Sequence, residues 1–562
     1  MGNILDCSTA EPVQPEPTIQ DGPPDTTEVP MLEDKVPLME SKIWTYLRDY
    51  YKRNNAVFNA NPETPTFISN SSYIASSYAN VIIKFVNDWF KTPSCDKSKP
   101  IYIVEVGAGQ GRLGFLILKK LMSMKQYFPE GVKLPFVYVI TDFTSESILK
   151  MKSHKWYADF VSQGVVDFAV VDCEDIPSIT LEVSNVHLNA ETITNPLFVI
   201  ANYVLSSLRN DAIRVENNAL QRGLLSVSSP QDNVDVLNII PRLQFTWNFV
   251  DMPETVYNDY DEDVKTLIQE YKTTIPNGTV LLPVVALRML RQLLALSNNR
   301  LVFLSGDVGT RALAKLSASR NPYITTHGSF SMPANLHALD CFVKARGGTV
   351  FASPYLEGFI NSVYVMGIDP ALLTTTRWMI HHEFSTFTPE SFNVTQKCLK
   401  EESSPSPSVA AVIAVLRLAH FDTDVFMRFK QVLIERGGYA GSAPSTRKDI
   451  LYDLDAVRTQ YYPIKSTADV CFELARIHMG IKEYDKAISL FADSNENCAD
   501  HHVTWHNMGM CYEYKNDIEN AKRCYMKSLD IKPSYRESKL KLSKLATEMK
   551  SDSSATPKPV SS

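Results

Sequence analysis

The sequence predicts an α/β domain built on a doubly wound parallel sheet, followed by an all-α repeat domain. Two observations predict the first: a buried-strand pattern runs straight into a glycine turn at residues 101–114, and three further apolar strands each end in a polar side chain. The second rests on Ala487 and Ala521, small residues 34 positions apart within a helical pattern.

Residues 8–36 are rich in Pro, Glu, Asp and Thr and poor in large apolar side chains, so a tail over 1–40 is expected to lack fixed structure. Met1-Gly2-Asn3 begins like an N-myristoylation site and Cys7 offers a second acyl attachment (Gly2 and Cys7 together), but Asp6 stands where Ser or Thr is preferred. A plain unstructured start is the competing reading. A mitochondrial presequence would be basic and amphipathic, which this stretch is not, so a cytoplasmic location is expected. Apolar residues at helical spacing in Ile43–Leu47 and Tyr78–Val86 predict a helical extension or lid over 41–97.

The α/β domain is expected over 98–395. Its first strand ends in Glu105-Val106-Gly107-Ala108-Gly109-Gln110-Gly111, and Leu113, Phe115, Leu116, Leu118 and Leu121 continue as a helix. Glycines there let a backbone approach a ligand closely. A dinucleotide fingerprint needs Gly-x-Gly-x-x-Gly, but Arg112 holds the third position, and Glu105 would repel a pyrophosphate. A carboxylate suits a cationic amine or sulfonium, which points to S-adenosylmethionine. The bland alternative is a turn that merely closes a strand–helix connection. The strand at 135–142 ends in Asp142, a candidate acceptor for ribose hydroxyls, and that at 165–172 ends in Asp172, a candidate for the adenine amino group. A fourth, at 196–202, delivers Asn202, which either orients an acceptor atom or caps the next helix.

The runs Val104–Leu113 and Val199–Leu208 resemble the MidA-like S-adenosylmethionine-dependent methyltransferases, relatives of the mitochondrial protein-arginine methyltransferase that assists complex I assembly. The resemblance continues through Leu301–Gly309 and His327–Ser331 and covers roughly residues 98–370. It implies a Rossmann-like class I methyltransferase sheet, a cofactor bound by Glu105, Gly107, Gly109, Gly111, Asp142 and Asp172, and a protein acceptor. Where the family reads Ala-Asn-Glu and then Asp-Ala-Leu-Pro, this chain has Tyr203 for the Glu, Ser206 for the Asp and Arg209 for the Pro. Two carboxylates suited to a guanidinium acceptor are thus missing.

A net charge of −7 argues against nucleic acid as the acceptor, and no apolar run is long enough to span a bilayer. The nine cysteines show no Cys-x-x-Cys spacing, so they read as reduced thiols and no metal site is expected. His501, His502 and His506 lack a fourth ligand at suitable spacing and read as solvated helix-turn residues.

A Ser- and Pro-punctuated linker is expected at 396–408, a helical region at 409–465, repeats with a capping helix at 466–550 and a loose tail at 551–562. Trp505, Met508, Gly509, Tyr512, Ala521, Tyr525, Ser528 and Pro533 fit a tetratricopeptide repeat. Leu474, Ala475, His478, Ala487, Phe491 and Ser494 form the copy before it. Such repeats bind a protein or peptide, or else brace the neighbouring domain.

For methyl transfer Asn202 is the first candidate to orient the acceptor, with Asp307 and His327 as candidates for proton removal. A non-catalytic scaffold that keeps the fold is the alternative, motivated by Tyr203 and Ser206.

Overall fold

In the computed structural model the described residues are 29–53, 70–230, 239–318, 321–401, 407–440, 444–463 and 469–553. The acylation candidates Gly2 and Cys7 and the end of the C-terminal tail lie outside them. Met31–Pro37 (β1) is a strand and Ile43–Arg53 (α1) a helix. The tail expected to 40 therefore ends earlier: β1 pairs antiparallel with a later strand, and Leu38 behind it is fully buried.

Ser72–Trp89 (α2) is followed by Ile101–Val106 (β2), Arg112–Ser123 (α3), Phe136–Asp142 (β3), Val166–Val170 (β4) and Leu197–Asn202 (β5). Then come Asp211–Glu216 (β6), Ala219–Ser228 (β7), Gln244–Asp251 (β8), Glu262–Thr274 (α4), Asn277–Leu282 (β9), Val284–Leu296 (α5) and Leu301–Thr310 (β10). Leu336–Ala345 (α6), Thr349–Ala352 (β11), Glu357–Met366 (β12), Thr374–Ser385 (α7) and Pro389–Glu401 (α8) complete the mixed α/β part.

The main sheet runs β11-β12-β10-β5-β2-β3-β4. Its neighbours from β10 to β4 are parallel, and β12 lies antiparallel between β10 and β11. Ile101 and Ile103 pack with α2, α3 and α7, whereas Val104 and Val106 pack with α5 and α6. Both faces are covered, which is why these strands read as continuous apolar runs instead of alternating ones. Strand order reverses between β2 and β5, so the chain leaves the sheet in opposite directions from two adjacent strand ends.

A second, antiparallel sheet, β1-β7-β6-β9 with β8 on β7, is inserted between β5 and β10. Trp44, Leu47 and Tyr50 of α1 share its core with Leu225 and Val227. The N-terminal extension thus splits: α1 closes this insert, while α2 is a core helix of the main sheet.

The C-terminal part is wholly helical: Val409–Leu418 (α9), Thr423–Ala440 (α10), Pro444–Thr459 (α11), Val470–Gly480 (α12), Tyr484–Asn497 (α13), His502–Tyr514 (α14), Ile518–Ile531 (α15) and Arg536–Ser553 (α16). The linker expected from 396 starts later, because α8 runs to Glu401 with Phe392 and Gln396 buried. A β-carbon on Gly509 would stand 2.7 Å from the Tyr525 ring, so only glycine lets α14 and α15 cross this closely. Tyr73 of α2 stacks on Phe392 at 4.7 Å, in the same core as α9 to α14. The helical stack is therefore fused to the α/β part and does not hang from a free tether. No described helix is long and apolar enough to cross a membrane.

Candidate functional site

Three glycines turn the chain from β2 into α3 with left-handed backbones: Gly107 (φ +63°), Gly109 (+60°) and Gly111 (+77°). L side chains rarely adopt that region, and a β-carbon would also lack space, at 3.0 Å from Val204 for Gly107 and 2.7 Å from Met151 for Gly111. The turn is fastened to β3. Ala108 N–H donates to the Thr141 carbonyl at 2.8 Å, and Gly109 N–H donates to Asp142 Oδ2 at 3.2 Å. Asp142 also accepts from Thr144 N–H at 3.1 Å, and its burial raises its carboxyl above the usual value. Its first role is therefore to brace the turn.

Glu105 departs from expectation. It points to the α3 face of the sheet, beneath Gly114, and accepts from the Tyr138 hydroxyl at 3.0 Å. Burial pushes its carboxyl up to about 8, so it carries a proton at neutral pH instead of the negative charge expected there.

Asp172 lies just beyond β4. Arg48 of α1 donates to both of its oxygens, at 2.5 and 3.2 Å, and lays its guanidinium over the Phe143 ring at 4.9 Å. Burial would raise the Asp172 carboxyl, but the Arg48 hydrogen bonds and charge outweigh it and leave the group below its ordinary value. Glu174 joins the cluster by its N–H on Asp172 at 3.1 Å and its carboxylate 3.8 Å from Arg48, and it pairs in turn with Arg209. Arg209 is thus an ion-pair partner.

Asn202 ends β5 beside Gly306 of β10. Tyr78, fully buried in α2, donates to Asn202 Oδ1 at 2.5 Å and accepts from Asn361 Nδ2 at 2.9 Å. Asn202 is thus positioned by Tyr78 just ahead of the short turn Leu205–Ser207. Tyr203 holds a φ of +53°, rare for a bulky residue, fixed by its N–H on the Gly306 carbonyl at 2.9 Å and by stacking on Phe359 at 5.6 Å.

Asp307 is fully buried. Its carboxylate accepts from Ser206 N–H at 3.1 Å and Val308 N–H at 2.9 Å, and burial moves it up to about 6. The proton acceptor expected here is instead a brace for the Leu205–Ser207 turn, because its oxygens are spent on backbone amides out of reach of solvent. His327 pairs through its backbone with Ser329, and its side chain lies outside the described residues.

Parallel strands bring Glu105, Asp142, Asn202 and Asp307 to one edge, with Asp172 just beyond β4. Sequence reasoning missed Arg48, Tyr78, Tyr138 and Asn361. Only Tyr78 lay in a segment whose helical spacing marked it. It also missed the other wall: the Tyr462 hydroxyl donates to the Gln110 carbonyl at 3.1 Å, and Arg112 donates to Asp422 at 3.2 Å, to Thr423 at 3.0 Å and to Asp424. The helical region thus holds the outer side of the glycine turn. The three histidines differ from the solvated set expected: the His501 and His502 rings lie 4.3 Å apart at the start of α14, which His501 caps, whereas His506 is buried and bonds Ser538 at 2.9 Å because α16 packs over it.

A tetratricopeptide repeat model matches residues 503–535. Comparison with curated proteins returns no match. Among solved structures, an uncharacterized COG1565 superfamily protein from Burkholderia thailandensis is 14% identical, with 60% of this chain and 90% of that chain covered at a TM-score of 0.36. A COG1565 superfamily member from the same organism, described as a "likely methyl transferase" and bound to S-adenosyl-homocysteine, is 14% identical, with 60% and 89% covered at 0.36. MamA is 14% identical, with 29% and 92% covered at 0.17. At these TM-scores none of the three likenesses fixes a fold.

Proposed function

We propose that this chain is an S-adenosylmethionine-dependent methyltransferase of the MidA-like kind, with a doubly wound class I sheet and with repeats that recruit a protein substrate or complex. One observation carries the reading. Three left-handed glycines meet carboxyl groups from successive strands at a sheet edge, beside the reversal of strand order. The residues fit the cofactor: Gly107 is exposed and Ala108, Gly109 and Gln110 are partly so, which leaves the turn's backbone accessible to a ligand, while Val204, Met151 and Tyr157 pack the side where β-carbons at Gly107 and Gly111 would stand. Gly107, Gly109 and Gly111 would hold it against the backbone, and Asp142 and Asp172 would accept from ribose and adenine, whereas Glu105, buried and protonated beneath Gly114, supports the turn from below and offers the cofactor's cationic end no charge. When bound, S-adenosylmethionine supplies a methyl on a positively charged sulfur.

The chain's own residues do the rest. Asn202, oriented by Tyr78, positions the acceptor atom. Asp307 holds the neighbouring turn, and His327 remains the candidate to take the acceptor's proton. An arginine acceptor would need carboxylates where Tyr203 and Ser206 stand, so another nucleophile on a protein is the favoured acceptor.

A non-catalytic scaffold is the second reading, and Arg48 favours it by occupying Asp172, the group proposed to meet the adenine, and by lying over the neighbouring Phe143 ring. Calorimetric titration with S-adenosylmethionine, with Gly107→Arg as control, tests the first reading. Incubation with a labelled methyl donor and lysate separates the two. Saturable binding lost in the variant, with a labelled polypeptide, is expected. Binding without label supports the scaffold, and a folded wild type that fails to bind refutes the cofactor site.

A further inference from the structure

Away from the glycine turn, Glu270 of α4 meets His337 and Cys341 of α6. The last two are four residues apart and so lie on one helix face. Cys341 Sγ lies 3.2 Å from Glu270 Oε1 and 3.6 Å from His337 Nδ1, and one ligand atom from each residue falls within 4.8 Å of the others. Among the described residues this is the one group of three such side chains.

We propose that Glu270, His337 and Cys341 bind a zinc ion that clamps α4 to α6. The spacing fits. With zinc–sulfur and zinc–nitrogen bonds of about 2.3 and 2.0–2.1 Å, a tetrahedral angle separates the two ligand atoms by about 3.5 Å. The observed Sγ–Nδ1 separation is 3.6 Å. The shorter Sγ–Oε1 separation corresponds to an angle of about 93° at the same bond lengths, a modest closing of the tetrahedron. Thiolate and imidazole select a borderline-soft cation over calcium or magnesium, and water fills the fourth position.

Two competing contacts are compatible with binding. Tyr271 Oη lies 3.2 Å from His337 Nδ1, but its proton has another acceptor in Asn335 Oδ1 at 3.3 Å, which leaves the Nδ1 lone pair free for metal. Among the described residues no lysine or arginine pairs with the Glu270 carboxylate, whose recorded partner is the Cys341 thiol. On binding, the thiol releases its proton to solvent and the sulfur–metal bond replaces the S–H···O contact. The clamp would join the helix that precedes β9 of the insert to a helix on the main sheet, far in sequence but adjacent in space.

The test uses the full-length chain, stripped of metal by a chelator and titrated with Co²⁺, which reports thiolate ligation by a charge-transfer band and tetrahedral geometry by visible d–d bands. One equivalent should saturate both, and Zn²⁺ should bleach them. Cys341→Ser should lose the charge-transfer band, and His337→Ala and Glu270→Gln should each weaken the metal at least about tenfold. Glu270→Gln keeps the side-chain shape and so decides the matter even if Cys341→Ser fails to fold. Absence of the band in the wild type, or its survival unchanged in the folded variants, overturns the site and leaves an ordinary thiol–carboxylate contact.

Discussion

Replacing Glu105 by Gln should flatten the dependence of stability on pH. Folding keeps the Glu105 proton up to about 8, whereas the unfolded chain loses it near the ordinary 4.5. Between those values the native state binds one more proton than the unfolded state. This contribution to stability is complete below 4.5, falls as pH rises, and is gone above about 8. One proton corresponds to about 1.4 kcal/mol per pH unit, so the loss reaches about 5 kcal/mol over the whole window and about 3 kcal/mol by neutral pH. With about 2.1 cal/mol/K of unfolding entropy per residue over the roughly 370 residues of the α/β part, that slope moves the melting temperature by about 2 °C per pH unit. The substituted amide keeps an acceptor for the Tyr138 hydroxyl. Its extra N–H group imposes a cost, but one that does not vary with pH, so the slope stays diagnostic. Other titrating groups, such as Asp307 at about 6, are common to both proteins and cancel in the difference. The assay is thermal unfolding of both proteins from pH 5 to 8. Parallel curves would refute the buried, protonated carboxyl.

Arg48→Met should tighten S-adenosylmethionine by about two- to fivefold, since a partly exposed bidentate pair is worth about 0.5–1 kcal/mol once solvent screening is allowed for. Titration calorimetry checks it, and unchanged or weaker binding would mean that Arg48 does not compete for Asp172. Tyr78→Phe removes a partner of half-buried Asn202 and of buried Asn361 and should cost about 1–3 kcal/mol of stability. If Asn202 orients the acceptor, the transfer rate falls while cofactor affinity holds; equal losses in both would argue against that role. Gly509→Val drives a side chain into Tyr525, an overpacking worth about 1–3 kcal/mol. Proteolysis should open the region around 503–535 first, with cofactor affinity intact.

Legibility followed the range of the interaction. The glycine turn was readable because local backbone geometry demands glycine at Gly107, Gly109 and Gly111. The strands were readable because burial on two faces imposes apolar runs. The second repeat was readable because the close crossing at Gly509 demands a small residue at a set spacing. The antiparallel insert escaped, since β7 and β8 are largely half-exposed with no clean alternation, while β6 and β9 are short and mostly buried. The start of β1 escaped because its partner lies nearly 200 residues away.

By itself the sequence determined the parallel strands of the main sheet, the edge to which their polar ends are delivered and the glycine turn between β2 and α3. Only the tertiary structure decided what each polar group does. Glu105 is neutral because α3 and Tyr138 close over it. Asp172 is occupied because α1 brings Arg48 across, Asp307 is a brace because two backbone amides reach it first, and Glu270 meets Cys341 because α4 and α6 lie side by side. Backbone preference is written in neighbouring residues. Charge, hydrogen bonding and ligation depend on distances that only packing sets.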